Sequence, residues 1–397
     1  MHELHHGNCL DILRTMPDAS VDAVVTDPPY GLSFMGKRWD YDVPSVEIWE
    51  QCLRVLKPGG YLLAFAGTRT QHRMAVRIED AGFEIRDMIA WMYGSGFPKS
   101  LDVSKAIDKA AGAEREKIQH KARPITSGTM SGKVDTRPWI EKSRLTGFHE
   151  CDGLVPVTDE AKQWQGWGTA LKPAMEPITM ARKPFKGTVA DNVQAYGTGA
   201  INIDGCRIAC DDGFEKAWDK PISTNISANG GKFISEGVQH KVDLSDYKPS
   251  GRWPANVLHD GCEDVLRGMG EAARFFYTPK ACKEDRDDGC EMMEARQYSH
   301  DGRTKPLENA YQRNDSEARN FHPTVKPTDL MRYLCRMVTP PGGIVLDPFT
   351  GSGSTGRGAV LEGFRFIGCE MDADYIEIAK ARILAAEKAY QPCLTFD

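Results

Sequence analysis

Ile344-Val345-Leu346-Asp347-Pro348-Phe349-Thr350-Gly351-Ser352-Gly353-Ser354-Thr355-Gly356 is the stretch whose reading decides the fold. A short β-rich run, Ile344 to Leu346, passes into a glycine loop that opens a helix, the arrangement a nucleotide-binding turn requires. The glycines let the backbone come close to a ligand at the start of that helix. Gly351, Gly353 and Gly356 fit the dinucleotide spacing, and Glu370 follows about 20 residues on, at the end of the next predicted strand, Phe364 to Cys369. An acid there holds ribose hydroxyls, so the pattern points to an adenosine without saying which adenosine cofactor. Taken alone, it would also suit a purely structural tight turn.

Strands and helices alternate on both sides of this loop. A helix from Thr328 to about Val338 leads through Pro340-Pro341-Gly342-Gly343 into the strand, and Asp372 caps a final helix with Ile376, Ala379 and Ile383 on one face. The first hundred residues repeat the alternation: Ala23 to Thr26 is one strand, and Tyr61 to Phe65, introduced by Lys57-Pro58-Gly59-Gly60, is another. Thr70 is positioned to cap a helix carrying Met74, Ile78 and Ala81 that stops at Gly82, and Phe83 to Tyr93 reads as a further strand. Neither end zone has strands enough for a stable sheet of its own, so both belong to one doubly wound α/β sheet with crossover helices. The middle, rich in Gly, Pro, Ser, Asn and charge, reads as an insertion.

Asp27-Pro28-Pro29-Tyr30 falls at the carboxyl end of the Ala23 to Thr26 strand, where open α/β sheets place their ligands. Two prolines remove two backbone donors and stiffen the loop. It then offers an acid, a free carbonyl and an aromatic ring in a fixed arrangement. An exocyclic amino group has two hydrogens to donate. Asp27 and the Pro28 carbonyl can accept both, draw the nitrogen toward tetrahedral geometry and expose its lone pair, while Tyr30 stacks on a flipped-out base. Out of context an ordinary Asp-Pro turn is the commoner reading.

Context changes that balance. Asp-Pro-Pro-Tyr after a strand, the Asp347-Pro348-Phe349-Thr350-Gly351-Ser352-Gly353 loop, and His322-Pro323-Thr324-Val325-Lys326-Pro327 ahead of its leading helix together resemble the β-class amino methyltransferases of DNA. In that family the catalytic motif precedes the target-recognition region and the cofactor motif follows it, the order found here. The resemblance covers both end zones. It implies a circularly permuted Rossmann-like fold that binds S-adenosylmethionine, with the methionine part near Asp347, Phe349, Gly351 and Lys326, the loop residues Gly353, Ser354 and Thr355 around it, and the ribose on Glu370. The family usually has Gly-Asp upstream of the catalytic strand, with the acid taking the cofactor's adenine amino group, whereas this chain has Gly7-Asn8. Asn8 still offers a carbonyl acceptor, a neutral hydrogen bond in place of a charge-assisted one.

The resemblance divides the chain into a catalytic half, 1–111; a basic insertion, 112–172; a core-completing strand, 173–185; a target-recognition region, 186–321; and a cofactor half, 322–397. Ile178 to Ala181, after the run Trp164 to Pro177, is expected to pair antiparallel with the Phe83 to Tyr93 strand and finish the sheet. The formal charge of −6 is unusual for a nucleic-acid binder, but steering depends on where charges sit. Between 115 and 144 lie Arg115, Lys117, Lys121, Arg123, Lys133, Arg137, Lys142 and Arg144 against Glu116, Asp135 and Glu141. The first six are the candidate phosphate contacts for double-stranded DNA; a merely solvated basic loop is the alternative. Base reading falls to 186–321, where Asn192, Gln194, Asn225, Asn229, Arg252, Trp253 and Asn256 are of suitable type.

The 397 residues, 41% hydrophobic, suffice for an ordinary core, and no apolar run approaches the roughly 18 residues of a membrane span. Eleven dispersed cysteines without a CxxC pair or a signal-peptide pattern favour a reducing cytoplasm over a disulfide scaffold, and Cys206, Cys210, Cys262, Cys282 and Cys290 lack the paired spacing of a zinc site. A nicotinamide-dependent dehydrogenase would use the glycine loop and Glu370 equally well but leaves Asp27 to Tyr30 and His322 to Pro327 unexplained. A P-loop ATPase would need a lysine before Ser354-Thr355, and a non-catalytic DNA-binding module would not need intact acids in two motifs. Within the resemblance, N4-cytosine members more often carry Ser at the first catalytic position, so Asp27 leans toward N6 of adenine. One recognition region and a palindromic target favour a homodimer, and a cognate restriction endonuclease is an optional partner.

Overall fold

In the computed structural model, residues 1–32, 40–94, 96, 100–121, 148–209, 251–278, 284–298 and 316–390 are described. They form two compact units, one of residues 1–93, 176–289 and 325–397, the other of 94–175 and 290–324. The strands in chain order are β1 (His2–His6), β2 (Val21–Thr26), β3 (Leu56–Phe65), β4 (Glu84–Met92), β5 (Lys117–Lys121), β6 (Phe148–Asp152), β7 (Met175–Arg182), β8 (Val257–His259), β9 (Arg296–Tyr298), β10 (Ser316–Ala318), β11 (Ile344–Asp347) and β12 (Arg365–Glu370).

Among the described residues, the first unit carries an eight-stranded sheet in the order β1-β12-β11-β2-β3-β7-β4-β8. The two end zones interleave in one sheet, as expected, with β1, β12, β11, β2 and β3 running parallel. Buried on both faces, β2 reads as the near-continuous apolar run typical of a central parallel strand. Its side chains alternate between two cores: Ala23 and Val25 pack with Leu63, Phe65 and Val345, and Val24 packs with Leu62, Ala64 and Leu346. The helices Thr328–Val338, Ser354–Leu361 and Ala373–Ala389 cover the first core, and Cys9–Thr15, Val46–Val55 and Gln71–Asp80 the second. Asp22, buried in β2, accepts from Lys57 at 2.6 Å and from the Ile344 amide at 2.8 Å, so its charge is compensated.

Several local expectations change. β7 adjoins β4 but does not close the sheet beyond it; it lies between β3 and β4, antiparallel to β3 from Tyr61↔Arg182 to Phe65↔Ile178. The outer edge is β8, parallel to β4, contributed by a region expected to read DNA. Three residues carry too little pattern to announce a strand. Asp372 caps the last helix through the Asp374 and Tyr375 amides, but that helix buries Tyr375, Ile378, Ala379, Arg382, Ile383 and Ala386 while Ile376 stays half exposed. Thr70 occupies the cap position of its helix without capping it; its hydroxyl donates to the Tyr30 carbonyl at 2.6 Å.

The second unit holds the antiparallel pairs β5–β6 and β9–β10. Within it, Asp108 accepts from Arg115 at 2.7 Å and from the amides of Val157 and Thr158. Arg115 is buried and also donates to Ser104 at 2.6 Å. It forms an ion pair with Asp108 inside this unit. Lys117 is exposed on β5, whereas the side chains of Lys121, Arg123, Lys133 and Arg137 lie outside the described residues.

Candidate active site

Because the neighbouring strands are parallel, their carboxyl ends share one edge of the sheet, and each motif sits there: Gly7-Asn8 after β1, Glu370 ending β12, Asp347 ending β11 and Asp27 just after β2. Thr26, the last residue of β2, donates its hydroxyl to Asp347 Oδ1 at 2.6 Å and ties the two motifs together. The loop after Asp27 is fixed from behind. Asp40, 2% exposed, accepts the amides of Tyr30 at 2.6 Å, Gly31 at 2.9 Å and Leu32 at 3.2 Å, and Thr70 holds the Tyr30 carbonyl.

Asp27 faces a partly enclosed cluster. Lys326 Nζ stands 2.7 Å from Asp27 Oδ2 and 3.2 Å from Glu176 Oε2, and the Tyr30 hydroxyl lies 2.7 Å from Asp27 Oδ1 and 3.1 Å from Glu176 Oε2. Lys326 also packs over the rings of Tyr30 and Phe65. Burial raises the Tyr30 phenol well above its ordinary value, and the charges of Asp27 and Glu176 add to this, so it remains a donor.

On the cofactor side, the loop turns through left-handed conformations at Gly351 and Gly353. A Cβ on Gly353 would stand 2.8 Å from Ala379 Cα, so helix and loop touch only because that residue is glycine. Glu370 accepts the Gly351 amide on one oxygen and the Asp372 amide on the other, both at 2.8 Å, leaving lone pairs for ribose hydroxyls. Phe349 is half buried, edge-on to Trp49. The other residues expected at the cofactor are engaged within the protein. Asn8 accepts the Leu10 amide as a helix cap, Ser354 is buried against Arg382, and Thr355 bonds to Asp347. Ser354 and Thr355 thus shape the loop, and Asn8 keeps one lone pair for an adenine. Lys326 is drawn to the carboxylates of Asp27 and Glu176.

Burial pushes the Asp347 carboxyl up to about 6, against the hydrogen bonds of Thr26, Thr355 and the Phe349 amide and with the Asp27 charge adding to the rise. A buried carboxyl held in this state has room for a cation's charge, and S-adenosylmethionine carries both an ammonium and a sulfonium. The residues present fit that cofactor. Sequence reasoning missed Glu176, Asp40 and the Thr70 hydroxyl. Glu176 stands in an extended stretch with no motif of its own, and Asp40 likewise has none around it.

Residues 21–381 match the family N6_N4_Mtase, described as DNA methylase. Over 343 residues, 85% of this chain and 68% of the relative, the sequence is 24% identical to the Type II methyltransferase M.HindIII of Haemophilus influenzae. Over 62 residues, 16% of this chain and 21% of the relative, it is 44% identical to the DNA adenine methyltransferase YhdJ of Escherichia coli. Among solved structures, the PvuII cytosine-N4-specific DNA methyltransferase aligns with a TM-score of 0.43 and 14% identity over 96% of this chain and 86% of that one. The M1.HpyAVI–SAM complex aligns with a TM-score of 0.39 and 15% identity over 96% and 99%.

Proposed function

This chain belongs to the N6_N4_Mtase family of DNA methylases, and on that premise we propose that it transfers a methyl group from S-adenosylmethionine to N6 of adenine within a short recognition sequence. The observation that carries the reading is the Thr26–Asp347 hydrogen bond, which sets the amino-group acceptors of one motif beside the cofactor loop of the other. S-adenosylmethionine supplies an electrophilic methyl group on a sulfonium centre. Asp27 and the Pro28 carbonyl accept the two amino hydrogens and turn the nitrogen lone pair outward. The Asp27 carboxylate then stands ready for the proton that the methylated nitrogen must lose. Tyr30, its backbone held by Asp40 and Thr70, gives the flipped base a ring to stack on. Asp347 holds the cationic end of the cofactor and Glu370 its ribose, with Asn8 toward its adenine.

Adenine is favoured over cytosine by Asp27 at the first catalytic position, and the stretch shared with a DNA adenine methyltransferase supports the same choice. The remaining basic residues, Lys117, Lys121, Arg123, Lys133 and Arg137, supply sequence-independent affinity for DNA phosphates, and the 186–321 region reads the sequence, in a homodimer. Incubating DNA with labelled S-adenosylmethionine and separating its nucleosides tests the proposal directly.

A further inference from the structure

Glu176 stands at the start of β7 and takes the same two donors as Asp27, Lys326 at 3.2 Å and the Tyr30 hydroxyl at 3.1 Å, each somewhat longer than the bond that donor makes to Asp27. Both Asp27 oxygens are therefore already engaged, one by the phenol and one by the ammonium. A base amino group that comes to Asp27 competes with them. Lys326 is only 7% exposed, and a buried ammonium that gave up its carboxylate with no substitute would carry a large desolvation penalty.

We infer that Glu176 is a positioning residue: it is the alternate acceptor onto which Lys326 and Tyr30 shift when a base amino group engages Asp27, and its charge keeps the ammonium from neutralising Asp27. The inference rests on the assignment of Asp27 to the base. Two carboxylates share one ammonium, so the cluster retains net negative charge where the amino hydrogens arrive. Without the Glu176 charge, lysine and Asp27 form a balanced pair, and the acceptor is weakest when the reaction needs it.

Lys326 reports on this arrangement through its own titration. Burial lowers its pKa, but the charges of Asp27 and Glu176 and the hydrogen bonds to them more than reverse that, and the ammonium sits above its ordinary value. The groups facing it are Asp27 and Tyr30 from the loop after β2, Glu176 on β7, Tyr93 after β4 and the Phe65 ring at the end of β3. Removing one of its two carboxylates brings that value down.

The test compares the full-length wild type, Glu176→Gln and Glu176→Asp in steady-state methylation of unmethylated plasmid DNA with tritiated S-adenosylmethionine. Glu176→Gln is expected to lower kcat roughly ten- to a hundredfold, the scale of one lost charged hydrogen bond, with both KM values within about threefold. Glu176→Asp, which keeps the charge, should recover most of the turnover. Active wild type with Glu176→Gln turning over within about twofold of it overturns the inference alone. So does a loss of turnover that Glu176→Asp does not recover, or one caused by lost cofactor affinity, since a merely structural residue would behave that way. Wild type that transfers no label to DNA removes the methyl-transfer reading, and the inference falls with it.

Discussion

Lys326 Nζ lies 2.7 Å from Asp27 Oδ2, although the two residues are 299 positions apart in the chain. The ion pair joins the loop after β2 to the segment before the Thr328–Val338 helix, so the reacting edge of the sheet is assembled from both ends of the sequence. The Thr26 bond to Asp347 repeats that union one strand over. On the proposed reading Asp27 serves the base and Asp347 the cofactor, so the two carboxylates should respond differently to substitution.

Asp27→Ala should lower methyl transfer by at least about a thousandfold in kcat while S-adenosylmethionine binds within about threefold of wild type. Single-turnover methylation and calorimetry measure the two effects separately. Near wild-type turnover would remove Asp27 from the mechanism.

Asp347 gives a pH signature. Its carboxyl is raised from 3.8 to about 6 in the fold. Between those values the folded protein holds a proton that the unfolded chain has released, so this residue adds stability as pH falls through 6 and loses it as pH rises. The effect amounts to about 2 to 3 kcal/mol at most, and Asp347→Asn should abolish it. A bound cation favours the ionised carboxylate, so S-adenosylmethionine affinity should climb between pH 5 and 7, with proton release near pH 6. Calorimetry in two buffers of different ionisation heat detects that release. A pH-independent affinity would contradict the placement of the cofactor's cation.

The motif loops were legible because their chemistry is local: Asp27-Pro28-Pro29-Tyr30 and Asp347 to Gly353 each announce a strand end and a rigid or glycine-rich turn within a few residues. The supports of those loops were not legible. Asp40 reaches the amides of Tyr30 to Leu32 across a loop, and Glu176 meets Lys326 only when β7 inserts between β3 and β4. No periodicity encodes either arrangement. Arg115 is a further case: in the sequence it is one basic residue in a basic run, and its burial against Asp108 and Ser104 is set by the fold alone.

That burial separates Arg115 from its neighbours in an experiment. Replacing Lys117, Lys121 and Arg123 with Ala should weaken binding to all DNA sequences alike and reduce the slope of log K against log salt by about 0.9 for each phosphate no longer neutralised. Arg115→Ala should instead leave that slope unchanged and lower the melting temperature by at least about 5 °C, because Asp108 is deprived of its buried partner. Fluorescence anisotropy over a salt series, with thermal unfolding in parallel, measures both. An unchanged affinity and slope in the triple variant would make the basic run a solvated loop.

Mass spectrometry of nucleosides from DNA treated with the full-length protein and isotopically labelled S-adenosylmethionine tests the central claim most directly. Labelled N6-methyladenine should appear, and it should vanish with Asp27→Ala. Labelled N4-methylcytosine alone would contradict the choice of adenine and leave amino methylation standing, whereas no labelled nucleoside from any DNA would contradict the account itself.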